Sequence, residues 1–282
     1  MRRPTWMFQL MLAVSCPTWS ATSPVWGQNR LTDSVRVRVG DGTVTGLQLR
    51  PYTRLFTAEW VPYGSSEGNT SNEISSVVDR LGLHVINGDT VLLRVIEKRW
   101  KRGTGVDSVA YEPQTMAPLW ARWHFSRESS RYGFRGSRVS WSHIGPTGEQ
   151  ESRDSILPGR AFLETSMDVV LEATAPDFDV GRVFEIPMVA FDQYRGILLS
   201  RPVDVHVSGV DSLSAARGQR RQAWRVTVDD DTYWIDRASH EPLMWEEHLE
   251  GGKQVYRLRC SAPREYSGRD QQGCQAESGP LR

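Results

Sequence analysis

Gly64-Ser65-Ser66-Glu67-Gly68 is the first stretch of the chain whose spacing has chemistry attached to it. The GxSxG pattern holds a serine on a strained strand-to-helix turn, where a histidine and an acid can make it a nucleophile. The next residues, Asn69-Thr70-Ser71-Asn72, make a polar loop sequence rather than a helix start. The βα alternation that carries such a triad is also missing. Ser66 therefore marks only a distant alternative, a serine hydrolase, and a Gly/Ser-rich hairpin loop accounts for the segment. His240-Glu241 and Glu246-Glu247-His248 bring imidazoles close to carboxylates. A zinc site of the HExxH kind needs both histidines on one helix face, and Pro242 and the spacing prevent that. On a strand, Glu246 and His248 share one face and Glu247 the other. His84, His124, His143 and His206 fall on separate strands. Asp229-Asp230-Asp231 lacks the alternating oxygens, central Gly and distal Glu of a calcium loop and reads as a hairpin turn. There is no phosphate-binding glycine loop and no basic cluster interleaved with aromatics. The sequence assigns no catalytic residue, no metal and no cofactor, and the expectation is a protein that is not an enzyme.

Three cysteines bear on compartment. Residues 1–27 run from Arg2 and Arg3 through the apolar stretch Trp6 to Ser15 to a polar segment ending Val25-Trp26-Gly27, the order of a secretory signal peptide cut after Gly27. The apolar part is shorter than the about 20 residues that span a bilayer. Leu12-Ala13-Val14-Ser15-Cys16 also resembles a bacterial lipobox, so the alternative to a free periplasmic or secreted chain is a lipoprotein anchored through Cys16. Processing leaves Cys260 and Cys274, a candidate disulfide in an oxidising compartment, closing a polar C-terminal loop.

The whole chain has 34 Lys+Arg against 34 Asp+Glu. Removal of Arg2 and Arg3 with the signal leaves 32 basic residues against 34 acidic. That balance excludes a partner held by bulk charge, so nucleic acid is not expected, and any anionic partner would need a local patch. No other segment reaches membrane length, so no span is expected in the mature chain.

The elements that must position these residues are strands. Val35-Arg36-Val37-Arg38-Val39 alternates, Gly40-Asp41-Gly42 turns, and Val44 to Leu49 continues extended. Asn87-Gly88-Asp89 between two alternating runs is a hairpin signal, because Asn and Gly tolerate positive φ. Leu119 to Phe125 carries aromatics on both faces. Trp224 to Val228 pairs with Thr232 to Asp236, and Leu243 to Leu249 with Gln254 to Leu258. One segment has helical period: Met167, Val170, Leu171 and Thr174, with Thr165 or Ser166 as N-cap and Pro176 as stop. Residues 126–160, rich in Ser, Arg and Gly, read as the loosest stretch. The expected fold is mainly β: an open, curved antiparallel sheet or half-barrel wrapped round one or two short helices. Residues 28–260 form its single domain and 261–282 a flexible polar tail.

Loss of Trp6, Trp19 and Trp26 with the signal leaves eight of the 11 tryptophans. Tryptophans on both faces of a curved sheet either fill a large core or line a cavity for an apolar ligand. Trp120, Trp123, Phe125, Trp141, Trp224 and Trp234 are the residues such a cavity would draw on.

Gly181, Phe184, Ile186 and Pro187 are followed by the Val203 to Val207 strand with Gly209, then by Gly218 and Ala223-Trp224-Arg225-Val226. Tyr233-Trp234-Ile235-Asp236 then leads to His240-Glu241-Pro242. This order resembles the bacterial envelope family catalogued as domain of unknown function 3108, with the helix at 166–175 in the family's place. The resemblance spans about residues 45–258 and is strongest from 166 onward. It implies a sheet similar to that of the outer-membrane lipoprotein carriers, and it brings no catalytic residues. The resulting expectation is an exported, non-enzymatic envelope protein holding a lipid or other apolar molecule, or an envelope protein partner, in the concave face of its sheet. The alternative is a structural or assembly protein with a filled core. Trp234, opposite in face to Tyr233 and Ile235, is expected to anchor the sheet, with Asp236 accepting backbone N–H bonds from the turn at 237–240.

Overall fold

Alternating apolar and polar residues build nearly all of the molecule. The computed structural model describes residues 34–64, 75–100, 103–191, 198–214 and 219–263. The signal segment with Cys16, the candidate Ser66 and Cys274 lie outside them. The first half of the chain supplies β1 (Val35–Arg36), β2 (Tyr52–Pro62), β3 (Ser75–Ile86), β4 (Asp89–Trp100), β5 (Gly103–Tyr111), β6 (Pro118–Phe125), β7 (Glu128–Arg135), β8 (Arg138–Ile144) and β9 (Gln150–Ile156). After the short β10 (Phe162–Leu163) comes α1 (Met167–Thr174). The second half adds β11 (Val183–Phe191), β12 (Leu198–Ser214), β13 (Arg220–Val228), β14 (Asp231–Asp236), β15 (Pro242–Leu249) and β16 (Gly252–Pro263).

The strands form one open, curved sheet in the order β1-β11-β12-β13-β14-β15-β16-β2-β3-β4-β5-β6-β7-β8-β9. Two antiparallel meanders, β2–β9 and β11–β16, are joined where the last strand pairs with the second, from Gly252 opposite Pro62 to Pro263 opposite Tyr52. Among the described residues, only β1 and β10 run parallel, both on β11. Curvature enters where the register slips: at Val207/Gly209, Trp234/Ile235, Leu258/Cys260 and Ala110/Tyr111. An extra residue on one strand bends and twists the ladder there. The turn between β3 and β4 is at Asn87 and Gly88, with φ of 54 and 90 degrees, as the Asn-Gly pair demands.

α1 lies in the concavity. All eight of its residues are buried, as a helix surrounded by sheet on several sides requires. It runs between two 3-10 turns, Glu164–Ser166 and Ala175–Asp177, the second opened by Pro176. Ser166 occupies the N-cap position without capping. Its hydroxyl is bonded to the buried Tyr111 phenol instead. Around the helix, Phe56, Leu81, Leu92, Phe184, Ile186, Val205, Val226 and Ile235 make the core with Val170 and Leu171.

Three local expectations give way. Val44 to Leu49 is not extended, since Gly46–Gln48 forms a 3-10 turn capped by Thr45, whose Oγ1 accepts from Leu47 N at 3.3 Å. Only glycine fits that turn, because a Cβ at Gly46 would lie 2.8 Å from Leu92 Cδ2 and the Pro113 carbonyl oxygen. Residues 126–160 are an ordered meander, β7 to β9. Arg131, Gly133, Arg135, Arg138 and Ser140 belong to the outward row, while Tyr132, Phe134, Val139 and Trp141 point inward and are buried. β16 continues to Pro263, three residues past the expected domain edge. Among the described residues, no helix is long and apolar enough to cross a membrane.

Candidate functional site

The inward rows of β4 to β7 alternate in phase, so Ile96 and Lys98, Asp107 and Val109, Ala121, Trp123 and Phe125, and Tyr132 all face the concavity. Between this wall and the segment leading into α1 lies a cleft of about 350 Å³, closed on one side by Phe191 at the end of β11. Its surface is mainly apolar. Trp123 and Phe125 stack with ring centroids 6.2 Å apart, and Tyr132 stacks on Phe191 at 4.0 Å, so an aromatic contact links strands far apart in the sheet. One ion pair, Lys98 Nζ to Asp107 Oδ2 at 2.8 Å, supplies polarity. The volume is at the small end of ordinary ligand sites, about 300–1,000 Å³.

A narrower space of about 70 Å³ shares Ile96, Lys98 and Thr165 with the cleft and runs along the start of α1. There Glu247 accepts hydrogen bonds from Trp245 Nε1 at 3.2 Å and Tyr256 Oη at 3.3 Å. Burial pushes its carboxyl above the usual value against the pull of Lys98.

Beyond that space the concavity is closed by charge. Arg94, 3% exposed, donates to both Asp79 oxygens at 3.0 and 2.8 Å and to both Asp168 oxygens at 2.8 and 2.5 Å. Arg54, 2% exposed, grips both Glu172 oxygens at 2.7 and 2.8 Å. Asp168 and Glu172 are one helical turn apart on α1, so two bidentate clamps fix the helix to β2–β4. Tyr52 Oη donates to Asp79 at 3.0 Å, and the Arg54 guanidinium lies 3.6 Å over the Tyr52 ring. Burial opposes the charge on both arginines, and the facing carboxylates outweigh it, holding both above their ordinary values. Burial also raises Glu172, despite Arg54, and pushes the Tyr111 phenol to about 12. The clamp extends to the sheet's outer turns: Glu241 Oε1 lies 3.6 Å from Arg54, and Arg221 contacts both Glu241 and Asp236.

The expected aromatic residues separate into four places. Trp123 and Phe125 line the cleft together. Trp120 and Trp141 border a groove along β6–β9, Trp120 from the outward row and Trp141 from the inward one, where it is itself buried against His143 and beneath Arg153. Trp224 packs on the core under Arg237, 4.4 Å above its ring. Trp234 points outward, its Nε1 donating to Asp211 at 2.8 Å. Asp236 Oδ1 accepts from Ala238 N at 2.9 Å and Ser239 N at 2.7 Å, fixing the turn after that strand. Cys260, on β16, is disulfide-bonded. The carboxylates near His248 have other work: Glu246 pairs with Lys253, and His248 Nδ1 meets Tyr63 Oη at 2.9 Å. Asp229 takes both ends of Arg201. No three His, Cys, Asp or Glu side chains gather as metal ligands among the described residues.

Tyr132 and Phe191 as cleft walls, and both arginine clamps, are not among the residues the sequence singles out. The clamps do leave a trace there: Arg54 stands in the inward phase between Tyr52 and Phe56, as does Arg94 between Leu92 and Ile96.

Fold and site together define a class, an open β half-barrel whose concavity holds one clamped helix and one aromatic cleft. No family model matches the sequence, and no curated protein matches it significantly. Among solved structures, a β-barrel-like protein of domain of unknown function 1849 from Brucella abortus is similar, with a TM-score of 0.41 and 10% identity over 77% of this chain and 98% of that one.

Proposed function

We propose that this chain is an exported, non-enzymatic protein of the bacterial cell envelope that takes an apolar or amphipathic molecule, such as a lipid, into the cleft between β4–β7 and α1. One observation carries the reading: Trp123, Phe125, Tyr132 and Phe191 surround open space within the concavity. An apolar tail fits among the rings, and a polar end reaches Lys98 and the narrow space beside Glu247. The signal-like residues 1–27 and the resemblance to the envelope family 3108 support the compartment.

The test is tryptophan fluorescence and thermal shift with dodecanoate and with a lysophospholipid, beside native mass spectrometry of protein purified from an envelope fraction. Saturable stabilisation that Phe191→Ala weakens supports the reading. Absence of co-purifying lipid together with no stabilisation by either probe overturns it, and favours a structural or assembly protein. That second reading draws on α1, all of whose residues are buried in the concavity.

A further inference from the structure

The outward rows of β6 to β9 carry an arrangement that nothing in the fold requires. Trp120, Gly133, Ser140 and Asp154 lie side by side across four strands. On one side of this row Arg122 stands opposite Arg131, and on the other Arg135 stands opposite Arg138. Like charges directly opposite one another destabilise a sheet. Several other arginines of the sheet surface meet carboxylates, as Arg36 does with Glu185, Arg80 with Glu97 and Arg225 with Asp211. Neither arginine pair here makes an ion pair among the described residues, and Arg122 leans instead 5.1 Å over the Trp120 ring.

Between the pairs is a groove of about 770 Å³. Gly133 keeps it deep, since a Cβ there would come 2.9 Å from Ser140 Oγ. Trp120 offers a flat apolar wall, and Ser140, Ser142, Ser152 and Asp154 offer hydroxyls and a carboxylate. Arg131 and Arg135, four residues apart on one face of β7, are separated by about 13 Å along the strand. We infer that this groove binds an acidic saccharide chain. A sugar ring lies on Trp120, its hydroxyls bond the serines and Asp154, and acidic groups on flanking sugars reach the two arginine pairs, where bidentate geometry suits a carboxylate, sulfate or phosphate. A nucleic acid strand fits less well, since its phosphates are closely spaced and Asp154 would face one of them. The balanced net charge adds no general attraction.

Fluorescence titration of the full chain with an oligogalacturonate, a heparin octasaccharide and an octauridylate separates the cases. At least one saccharide should bind, with affinity falling tenfold or more in Arg131→Gln/Arg135→Gln and in Trp120→Ala but holding in the cleft variant Trp123→Ala. The two saccharides distinguish carboxylate from sulfate recognition. Arg135→Gln/Arg138→Gln, which changes exposed side chains alone, gives a second test, and removal of the facing charges should leave its melting temperature no lower than the parent's. Binding of neither saccharide, equal binding by the arginine variants, or tighter binding of the octauridylate overturns the inference.

Discussion

The two sides of α1 use the same concave face in opposite ways. Toward β2–β4 the space is closed by Arg54 and Arg94, each gripping a helix carboxylate in bidentate fashion. Toward β5–β7 the wall is aromatic and space is left over. A buried ion pair stabilises little in net terms, because desolvation offsets its attraction. What it does supply is a single arrangement, since every alternative leaves a charge bare. The clamped side thus fixes where the helix sits, and a helix held there keeps the opposite side from collapsing onto Trp123 and Phe125. Rigidity on one face of a helix can in this way maintain a cavity on the other.

The largest expected effect comes from breaking the clamp. Arg94→Met takes the facing cation from Asp79 and Asp168 together, leaving Asp79 the Tyr52 hydroxyl, and removal of one partner from a buried ionic group costs about 3–5 kcal/mol. Chemical denaturation should show that loss, whereas the triple change Arg94→Met/Asp79→Leu/Asp168→Leu should recover most of it. If Arg94→Met unfolds like the parent, the clamp has no role in fixing the helix. Glu172→Gln is milder. It keeps a hydrogen-bond acceptor for Arg54 and leaves Glu241 3.6 Å away, so the loss should be about 1–3 kcal/mol, within the range for a weakened charged hydrogen bond. A loss as large as that of Arg94→Met would show that the two clamps act as one unit.

Sequence made the sheet legible and the concavity opaque, for a physical reason. Period-two alternation identifies which residues face inward, and it located the hairpins at Asn87-Gly88, Asp229-Asp230 and Gly251, together with the one helix. Whether facing rows touch or leave a gap depends on curvature, which enters through bulges such as Ala110/Tyr111 that no composition marks. Phe191 illustrates the limit: nothing near it in sequence says that it will meet Tyr132, 59 positions earlier in the chain, because the contact spans the opening of the half-barrel. Arg54 and Arg94 could have been found as charges in the apolar phase of their strands. Their partners Asp168 and Glu172 are acids on an otherwise apolar helix, and only the fold brings the two sets together.

On the aromatic side, Trp123→Ala should cost far less than the about 3–5 kcal/mol of a fully buried Trp→Ala change, because the ring borders space that already exists. The dodecanoate response should weaken with it. A destabilisation as large as that of Arg94→Met would show the cleft wall to be core and erase the contrast between the two sides.

The smallest effect is expected at Glu247, which sits between the two regions and tells which one the narrow space belongs to. Burial raises its carboxyl above the ordinary 4.5, so the folded state holds the proton more tightly than the unfolded chain does. The stabilisation this provides is complete below the ordinary value and is lost as pH climbs through the raised one. Glu247→Gln keeps an acceptor for Trp245 and Tyr256 but cannot ionise. Its melting temperature relative to the parent should therefore rise from pH 4.5 upward and then level off, a shift readable by calorimetry across that range. A flat difference would mean that the fold leaves this carboxyl's proton affinity unchanged, and one that falls would mean that Lys98 holds Glu247 ionised in the fold. In the falling case the narrow space is a third clamp, and the polar end of a cleft ligand would have to lie at the Lys98–Asp107 pair instead.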